Sequence, residues 1–168
     1  TCNAVDVAGN NSTPTHFDVV VRDTTPPTID THAPIAGVEA TGGNGAPVTY
    51  TAPATHDIVD GPSSATCLPA SGSTFTLGET TVTCTRTDAA GNAATPQDFT
   101  VTVQDTTAPA VDPMSDITAE ATSASGAVVT FTAPGWTDAV DGSGTATCLP
   151  ASGTTFSIGG HGVTCSRT

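Results

Sequence analysis

The sequence of 168 residues contains no lysine and only three arginines against 16 acidic residues, which gives a formal net charge of −13. Nucleic acids and anionic membrane surfaces bind proteins through clusters of cationic side chains, so this composition disfavours both as partners. The absence of lysine also excludes Schiff-base chemistry and lysine–asparagine isopeptide crosslinks. No apolar run approaches the roughly 18 residues of a membrane-spanning helix, so membrane insertion is not expected.

Aromatic residues make up only 4% of the chain, and nothing in the sequence predicts catalysis. Trp136 and Tyr50 are isolated aromatics, which favours a place in a core or at a sheet edge over a sugar-stacking platform. No histidine adjoins a serine or cysteine in a recognisable nucleophile motif, and all four are expected at the surface: His16, His32, His56 and His161. We therefore do not expect an enzyme.

Internal repetition is the main positive feature of the chain. Residues 1–10 return in similar form at 83–92, and residues 65–72 return unchanged at 146–153, with offsets of 82 and 81 positions. A period of this length exceeds the roughly 20–50 residues of solenoid and propeller repeats and suits a small autonomous domain. The sequence therefore predicts tandem domains arranged end to end.

Two similar segments mark the boundaries between these repeats. Asp-Thr-Thr-Pro-Pro at 23–27 returns as Asp-Thr-Thr-Ala-Pro at 105–109, each after a strand-like run. Proline ends strand pairing and stiffens a connection, so both segments are interpreted as linkers. The chain then divides into the tail of one repeat, a complete repeat and a repeat that stops before its last strand, at 1–22, 23–104 and 105–168.

The chain begins and ends at nearly the same point of the repeat, which admits two interpretations. In the first, the sequence is a window of a longer array. In the second, the free segment 1–22 completes the unfinished repeat of a neighbouring molecule by donating a strand. We favour the first, because Cys2 and Cys165 would otherwise claim the same place in the sheet.

Apolar residues alternate with threonine in several short runs, such as 47–51, 81–85 and 128–132. This alternation is typical of half-buried antiparallel strands, and no window predicts a useful amphipathic helix. Short strands separated by Gly, Pro and Asp turns predict an immunoglobulin-like or fibronectin-like β-sandwich. The predicted strands of the complete repeat are A at about 28–41, B at 47–53, C at 64–69, a middle pair within 73–80, F at 81–87 and G at 98–104.

The cysteines have the same spacing in both repeats. Cys67 and Cys84 lie 17 positions apart, and so do Cys148 and Cys165. Such spacing predicts one disulfide within each repeat, whereas a metal site would need further Cys or His ligands. Cys2 has no partner in this scheme, and the disulfides imply an oxidising compartment.

Acidic residues recur where the predicted topology brings the start of strand A, the B–C loop and the F–G loop to one end of the sandwich. Converging carboxylates repel one another unless a cation lies among them, and Ca²⁺ prefers such oxygen ligands. The alternative is that Asp, Asn and Gly simply form solvated turns. The candidate calcium ligands are Asp23, Asp57, Asp60, Asp88 and Asn92 at the first junction and Asp105, Asp138 and Asp141 at the second.

Four motifs together resemble one family. They are the linker at 23–27, the block Cys-x-Pro-x-Ser-Gly-Ser-x-Phe-x-x-Gly-x-Thr-x-Val-x-Cys at 67–84, Thr-Asp-Ala-Ala-Gly-Asn at 87–92 and Phe-Thr-Val-Thr-Val at 99–103. In combination they resemble the hyalin-repeat (HYR) family across all 168 residues. The resemblance implies an immunoglobulin-like extracellular repeat that serves adhesion or scaffolding and has no enzymatic activity.

Two functions fit this resemblance. The first is a structural or adhesive array on a cell surface or in a matrix or filament, with neighbouring repeats and identical chains as partners. The second is a non-catalytic binding module of a secreted protein, for example one that recognises carbohydrate. The scarcity of aromatic residues favours the first.

Overall fold

The computed structural model describes residues 1–167, and these residues form strands, turns and extended segments without a helix. No helix that could cross a membrane is therefore found in the described chain. The all-β prediction is confirmed. The unit 23–104 contains nine strands: β1 Thr28–Ile29, β2 Ile35–Glu39, β3 Ala46–Pro47, β4 Ala54–Asp57, β5 Gly61–Ser64, β6 Thr66–Leu68, β7 Thr74–Phe75, β8 Gly78–Thr85 and β9 Gln97–Gln104.

The largest sheet of this unit has the order β2-β9-β8-β6. Its centre is the antiparallel pair of β8 and β9, in which Val82 lies opposite Phe99 and Thr80 opposite Val101. Every second residue of β9 is buried, namely Phe99, Val101 and Val103. This period of two is what a strand with one face on the core requires. Strand β2 lies parallel to β9 on its other side.

Shorter strands form the opposite layer, in the orders β1-β4-β5 and β3-β7. The core cluster joins the two layers, since it contains Ile29 and Phe75 from the short strands together with Val82, Val101 and Val103 from the large sheet. Phe75 is 1% exposed and is the largest fully buried side chain. His32, expected at the surface, is partly buried with its ring stacked 4.0 Å from that of Phe99.

The predicted strand A is two strands in the structure. β1 pairs with β4 in one layer, and β2 pairs with β9 in the other. The five residues between them, 30–34, end in Pro34, which has no N–H to contribute to a ladder. The chain therefore changes sheets here, and the continuous strand at 28–41 was wrong.

The predicted strand B at 47–53 is also interrupted. Strand β3 at its start is followed by Val48, whose amide and carbonyl bond to the backbone of Ser73 and Gly72, and regular pairing resumes only at β4. Prolines 47 and 53 bracket the gap and cannot donate backbone hydrogen bonds. Within the gap the Ser71 hydroxyl replaces a strand partner, because it accepts from Tyr50 N at 2.8 Å and donates to Tyr50 O at 2.7 Å.

The other predicted strands lie close to observed ones. β6 falls within predicted strand C, β8 covers most of F, and β9 matches G to within one residue. The predicted middle pair within 73–80 is reduced to β7 and the first residues of β8. The predicted B–C loop is instead the tight turn of the β4–β5 hairpin, in which Asp57 lies opposite Gly61.

The third unit repeats this arrangement with β10 Ala110–Val111, β11 Ala127–Val129, β12 Gly135–Asp138, β13 Gly142–Thr145, β14 Thr147–Leu149, β15 Thr154–Phe156 and β16 Thr164–Ser166. The orders β10-β12-β13, β11-β15 and β14-β16 reproduce β1-β4-β5, β3-β7 and β6-β8. Within the described residues no strand takes the place of β9. A groove of about 520 Å³ lies there, lined by Met114, Ile117 and Phe156 among others. Phe156 is only half-buried, unlike its equivalent Phe75.

Residues 1–22 form isolated bridges between Cys2 and Thr15 and between Val5 and Asn11. The strand-like run 17–21 is unpaired, with Phe17 74% and Val21 90% exposed. Its pattern matches β9, but β9 is held along its length by β8 and β2. Residues 1–3 correspond only to the last residues of β8, and the Cys2–Thr15 bridge corresponds to the pair of Cys84 and Gln97. Residues 17–21 are accordingly not a strand in the structure.

Both units contain a disulfide, Cys67–Cys84 and Cys148–Cys165, each spanning 17 positions. The bonded cysteines are directly opposite each other on paired strands. Cys84 is fully buried, whereas Cys2 is free and exposed.

Replacing Cys67 and Cys84 together by alanine should lower the free energy of unfolding by about 3 kcal/mol, because the unfolded chain regains the freedom of a closed loop of this length. Chemical denaturation monitored by far-UV circular dichroism measures this free energy of unfolding. Cys2→Ala is the control and should leave stability unchanged. Equal stability of the double variant and the control would show that the disulfide does not constrain the unit.

Candidate metal centre

Three carboxylates meet at the start of the unit 23–104. Asp23 lies in the linker before β1, Asp57 at the end of β4 and Asp88 in the turn after β8. One oxygen from each lies within 4.8 Å of the others. Three segments that are far apart in sequence thus converge on one point.

The turn of the β4–β5 hairpin positions Asp57. Its Oδ1 accepts hydrogen bonds from Val59 N at 2.7 Å and Asp60 N at 2.9 Å. The turn closes at Gly61, whose φ of 74° lies in the left-handed region that favours glycine. The hairpin therefore fixes one carboxylate oxygen of Asp57 and leaves Oδ2 for another partner.

Asp88 is held by the turn that it begins. Its Oδ1 accepts from Asn92 N and its Oδ2 from Asn92 Nδ2, both at 2.7 Å. The residue is 8% exposed. Burial alone would raise the pKa of Asp88, but the hydrogen bonds from Asn92, Gly91 and Ala90 outweigh it and lower the pKa below its ordinary value. Asp88 is therefore a buried anion at neutral pH.

The remaining oxygens of the cluster lack partners. Asp23 Oδ2 and Asp57 Oδ2 are both buried and accept no hydrogen bond. A buried carboxylate oxygen without a donor is costly, and neighbouring anions raise that cost. A hard cation with oxygen ligands, such as Ca²⁺, would satisfy both oxygens and offset the repulsion.

Two further predicted ligands organise the cluster in the structure. Asp60 Oδ2 accepts from Ala89 N at 2.7 Å and so ties the β4–β5 turn to the turn containing Asp88. Asn92 donates to Asp88 and also, at 3.4 Å, to the carbonyl oxygen of Asp23. Both residues hold the three carboxylate segments together.

The second junction differs from the first. Asp138 Oδ1 caps its turn by accepting from Val140 N and Asp141 N, both at 2.8 Å. Asp141 pairs with Arg167 at 2.8 Å, and Asp105 accepts from Thr107 N at 3.3 Å. Among residues 1–167, the three carboxylates of the first junction are the acidic group with metal-binding geometry. At the second junction Arg167 supplies a positive charge to Asp141. The three predicted ligands Asp105, Asp138 and Asp141 do not form such a group there.

Glu39 is a residue that the sequence reasoning missed. It ends β2, and its carboxylate accepts hydrogen bonds from the amides and hydroxyls of Thr106 and Thr107 in the linker of the next unit. The repeat marks the position, since Glu120 lies 81 positions after Glu39 and each linker contains Thr-Thr, but this recurrence does not show that the glutamate meets the linker.

The threonine contacts of Glu39 should depend on pH. Hydrogen bonds from the side chains of Thr106 and Thr107, then from their amides, lower the pKa of Glu39 from 4.5 to about 2. A depressed folded pKa means that the stabilisation is complete above the ordinary value and is lost as pH falls towards about 2.

Amide chemical shifts of Thr106 and Thr107, followed by NMR against pH, should therefore titrate with a midpoint well below 4.5. Glu39→Gln should abolish this titration. A midpoint at the ordinary glutamate value would show that the carboxylate does not bind the linker in solution.

The fold and the site together define a class: a disulfide-bonded, two-layered β-domain with an acidic junction. Comparison with known families agrees, since residues 22–103 match the HYR domain. The chain belongs to the hyalin-repeat family. No solved structure matches it.

Two curated relatives are similar to this chain. Hyalin of Strongylocentrotus purpuratus is 38% identical over 168 residues, which cover 95% of this chain and 14% of that protein. Hyalin of Lytechinus variegatus is 38% identical over 116 residues, which cover 67% of this chain and 22% of the relative. The chain thus spans less than a quarter of either relative. It is an extracellular, adhesion-related type of domain, and its two disulfides fit that location.

Proposed function

We propose that this chain is part of an extracellular structural or adhesive array, in which HYR units follow one another end to end and provide reach and stiffness. One observation carries the proposal: the linker after β9 is bound by the preceding unit through Glu39. A linker held in this way transmits the orientation of one unit to the next. Neighbouring repeats are then the first partners, and the open edge strands β2 and β6 offer identical chains a place to pair.

The construction of each unit suits a load-bearing role. The disulfide limits how far a pulled unit can extend, since the 17 positions between Cys67 and Cys84 cannot be drawn out. Prolines at 26, 27 and 109 restrict the linkers, because each fixes its own φ and disfavours the helical region for its predecessor. Such a chain resists both unravelling and folding back.

The alternative of a carbohydrate-binding module is less well supported. Tyr50 packs edge-on against Phe99 with ring centres 5.1 Å apart and donates its hydroxyl to Pro69 O. Trp136 is covered by the guanidinium group of Arg167, which lies 3.8 Å from the ring centre. These aromatic faces are already occupied, so neither provides a free platform for a sugar ring.

Small-angle scattering of chains with two, three and four HYR units tests the array. We expect the radius of gyration to grow nearly linearly with the number of units, because the held linkers keep successive units extended. A radius that follows the weak length dependence of a globular protein would overturn the proposal.

We further propose that Asp23, Asp57 and Asp88 bind Ca²⁺ and so stiffen the start of the unit. The support is the pair of buried carboxylate oxygens without donors, beside an Asp88 anion held by Asn92. Extracellular modules bind Ca²⁺ at about 10⁻⁴–10⁻³ M, and binding only to the folded state raises stability. The ion would also offset part of the net charge of −13.

Thermal unfolding with about 10 mM Ca²⁺ or with chelator measures the effect, and we expect Ca²⁺ to stabilise the protein by about 1–3 kcal/mol. Asp57→Asn should abolish that gain, while its Oδ1 can still cap the turn. In chelator the variant should be at least as stable as the wild type, because one of three mutually repelling charges is gone.

Asp98→Asn is the matched control, since it removes one exposed carboxylate from β9, away from the cluster. It should leave the response to Ca²⁺ intact. If wild-type stability is identical with Ca²⁺ and with chelator, the cluster is a set of solvated turns and not a metal centre.

A further inference from the structure

We propose that the end of the unit 23–104 carries a docking surface, formed by Glu39, Gly42 and Gly43, that recognises the Thr-Thr linker and the β-hairpin turn at the start of another HYR unit. This end surface would orient consecutive units by direct contacts that need no metal. The inference deepens the end-to-end array and rests on it, because it names the surface through which one unit selects the next.

The parallel pairing of β2 with β9 creates the position of Glu39. Glu39 lies opposite Gln104, the last residue of β9, and Ala40 N donates to Gln104 O at 2.8 Å. The two strands therefore end side by side. The glutamate side chain extends past the end of β9, where the linker begins at Asp105.

The hydrogen bonds of Glu39 specify the chemistry of the linker. Thr106 donates its amide at 3.0 Å and its hydroxyl at 2.6 Å, and Thr107 donates its amide at 3.1 Å and its hydroxyl at 2.7 Å. One carboxylate thus receives two adjacent amide–hydroxyl pairs. Bonds to an ionised acceptor are stronger than neutral ones. The site selects two consecutive hydroxyl residues and would lose half of its donors with alanines.

A second contact lies beside the first. Val140, in the turn between β12 and β13, packs against the core cluster of the unit 23–104. The turn at Gly42 and Gly43 faces the carbonyl oxygens of Ala139 and Val140. A Cβ on Gly43 would lie 3.1 Å from Val140 O, so the absence of a side chain permits this approach. The two contacts lie on separate segments and therefore fix the orientation of one unit relative to the next. A single contact would allow the units to rotate about it.

The groups that dock at the second junction recur at the start of the unit 23–104. Thr24 and Thr25 correspond to Thr106 and Thr107, 82 positions later, and both are exposed. Thr25 N bonds to Asp23 Oδ1 as Thr107 N bonds to Asp105 Oδ1. Val59, which corresponds to Val140, is 64% exposed. The partner that fits this face is an HYR unit whose end surface carries the glutamate and the two glycines found at 39, 42 and 43; the equivalent positions of the third unit are Glu120, Ser123 and Ala124.

Distance measurements between the two units test the docking surface. Nitroxide labels at the exposed strand positions Thr81 and Ser143, attached through a non-cysteine handle, report the distance across the junction by pulsed electron paramagnetic resonance. We expect one narrow distance in the wild type, in Ca²⁺ and in chelator alike. Glu39→Ala and Val140→Ser should each broaden it, and the double variant should lose the preferred distance altogether.

The chain supplies matched controls for both substitutions. Glu120→Ala changes the residue equivalent to Glu39, and Val59→Ser the residue equivalent to Val140, and both should leave the narrow distance unchanged. Amide NMR spectra establish that the unit 23–104 stays folded, and Glu39→Gln, which removes only the charge, provides a milder second variant. A distance that stays narrow in Glu39→Ala and in the double variant would overturn the docking surface. If the distance stays narrow in these variants while the scattering profile is elongated, the docking surface is refuted but the end-to-end array is not.

Discussion

The unit 23–104 depends on β9, because this strand serves both layers and the junction at once. Phe99, Val101 and Val103 extend from it into the core, β8 and β2 pair along its two edges, and its last residue leads into the linker. The third unit shows the consequence of its absence within the described residues. There the equivalent of the fully buried Phe75 is half-buried and borders an open groove. Apolar residues on the facing strands cannot be covered by β-hairpins alone, so a long central strand is what completes the core.

A small core makes the disulfide important. The buried set consists largely of valine, alanine and cysteine, with Phe75 and Phe99 as its large members. Such side chains bury little apolar area each, and a domain of about 80 residues is close to the size at which one core only just suffices. The Cys67–Cys84 bond lies within this core and constrains the unfolded chain. The disulfide thus compensates for the small apolar area that these side chains bury.

The sequence predicts the features that depend on local pattern or on repetition. Alternation identifies β8 and β9, and the all-β class follows from it; the repeated spacing of 17 positions gives the cysteine pairs found in the structure. The turn signals also bring Asp23, Asp57 and Asp88 together, once an immunoglobulin-like order of strands is assumed.

Features set by tertiary context were not predictable in this way. The break between β1 and β2 exists because the chain changes sheets near Pro34. The alternation of apolar and polar residues cannot reveal such a break, because two short strands and one long strand give the same pattern. The gap in predicted strand B depends on the Ser71 hydroxyl, which is 21 positions from Tyr50. Glu39 acquires its role only because β2 lies parallel to β9, and no local pattern specifies a parallel partner.

The carboxylates of the two junctions have different partners in the structure. The chain carries 16 acidic residues and three arginines, so carboxylates that gather at a junction cannot all be neutralised by side chains. At the second junction the negative charge is divided: Glu39 is stabilised by threonine donors, and Asp141 by Arg167. At the first junction three carboxylates converge, and two buried oxygens have no donor at all. A buried carboxylate oxygen without a donor is costly, so the cluster of Asp23, Asp57 and Asp88 is a place where a cation has a physical reason to bind.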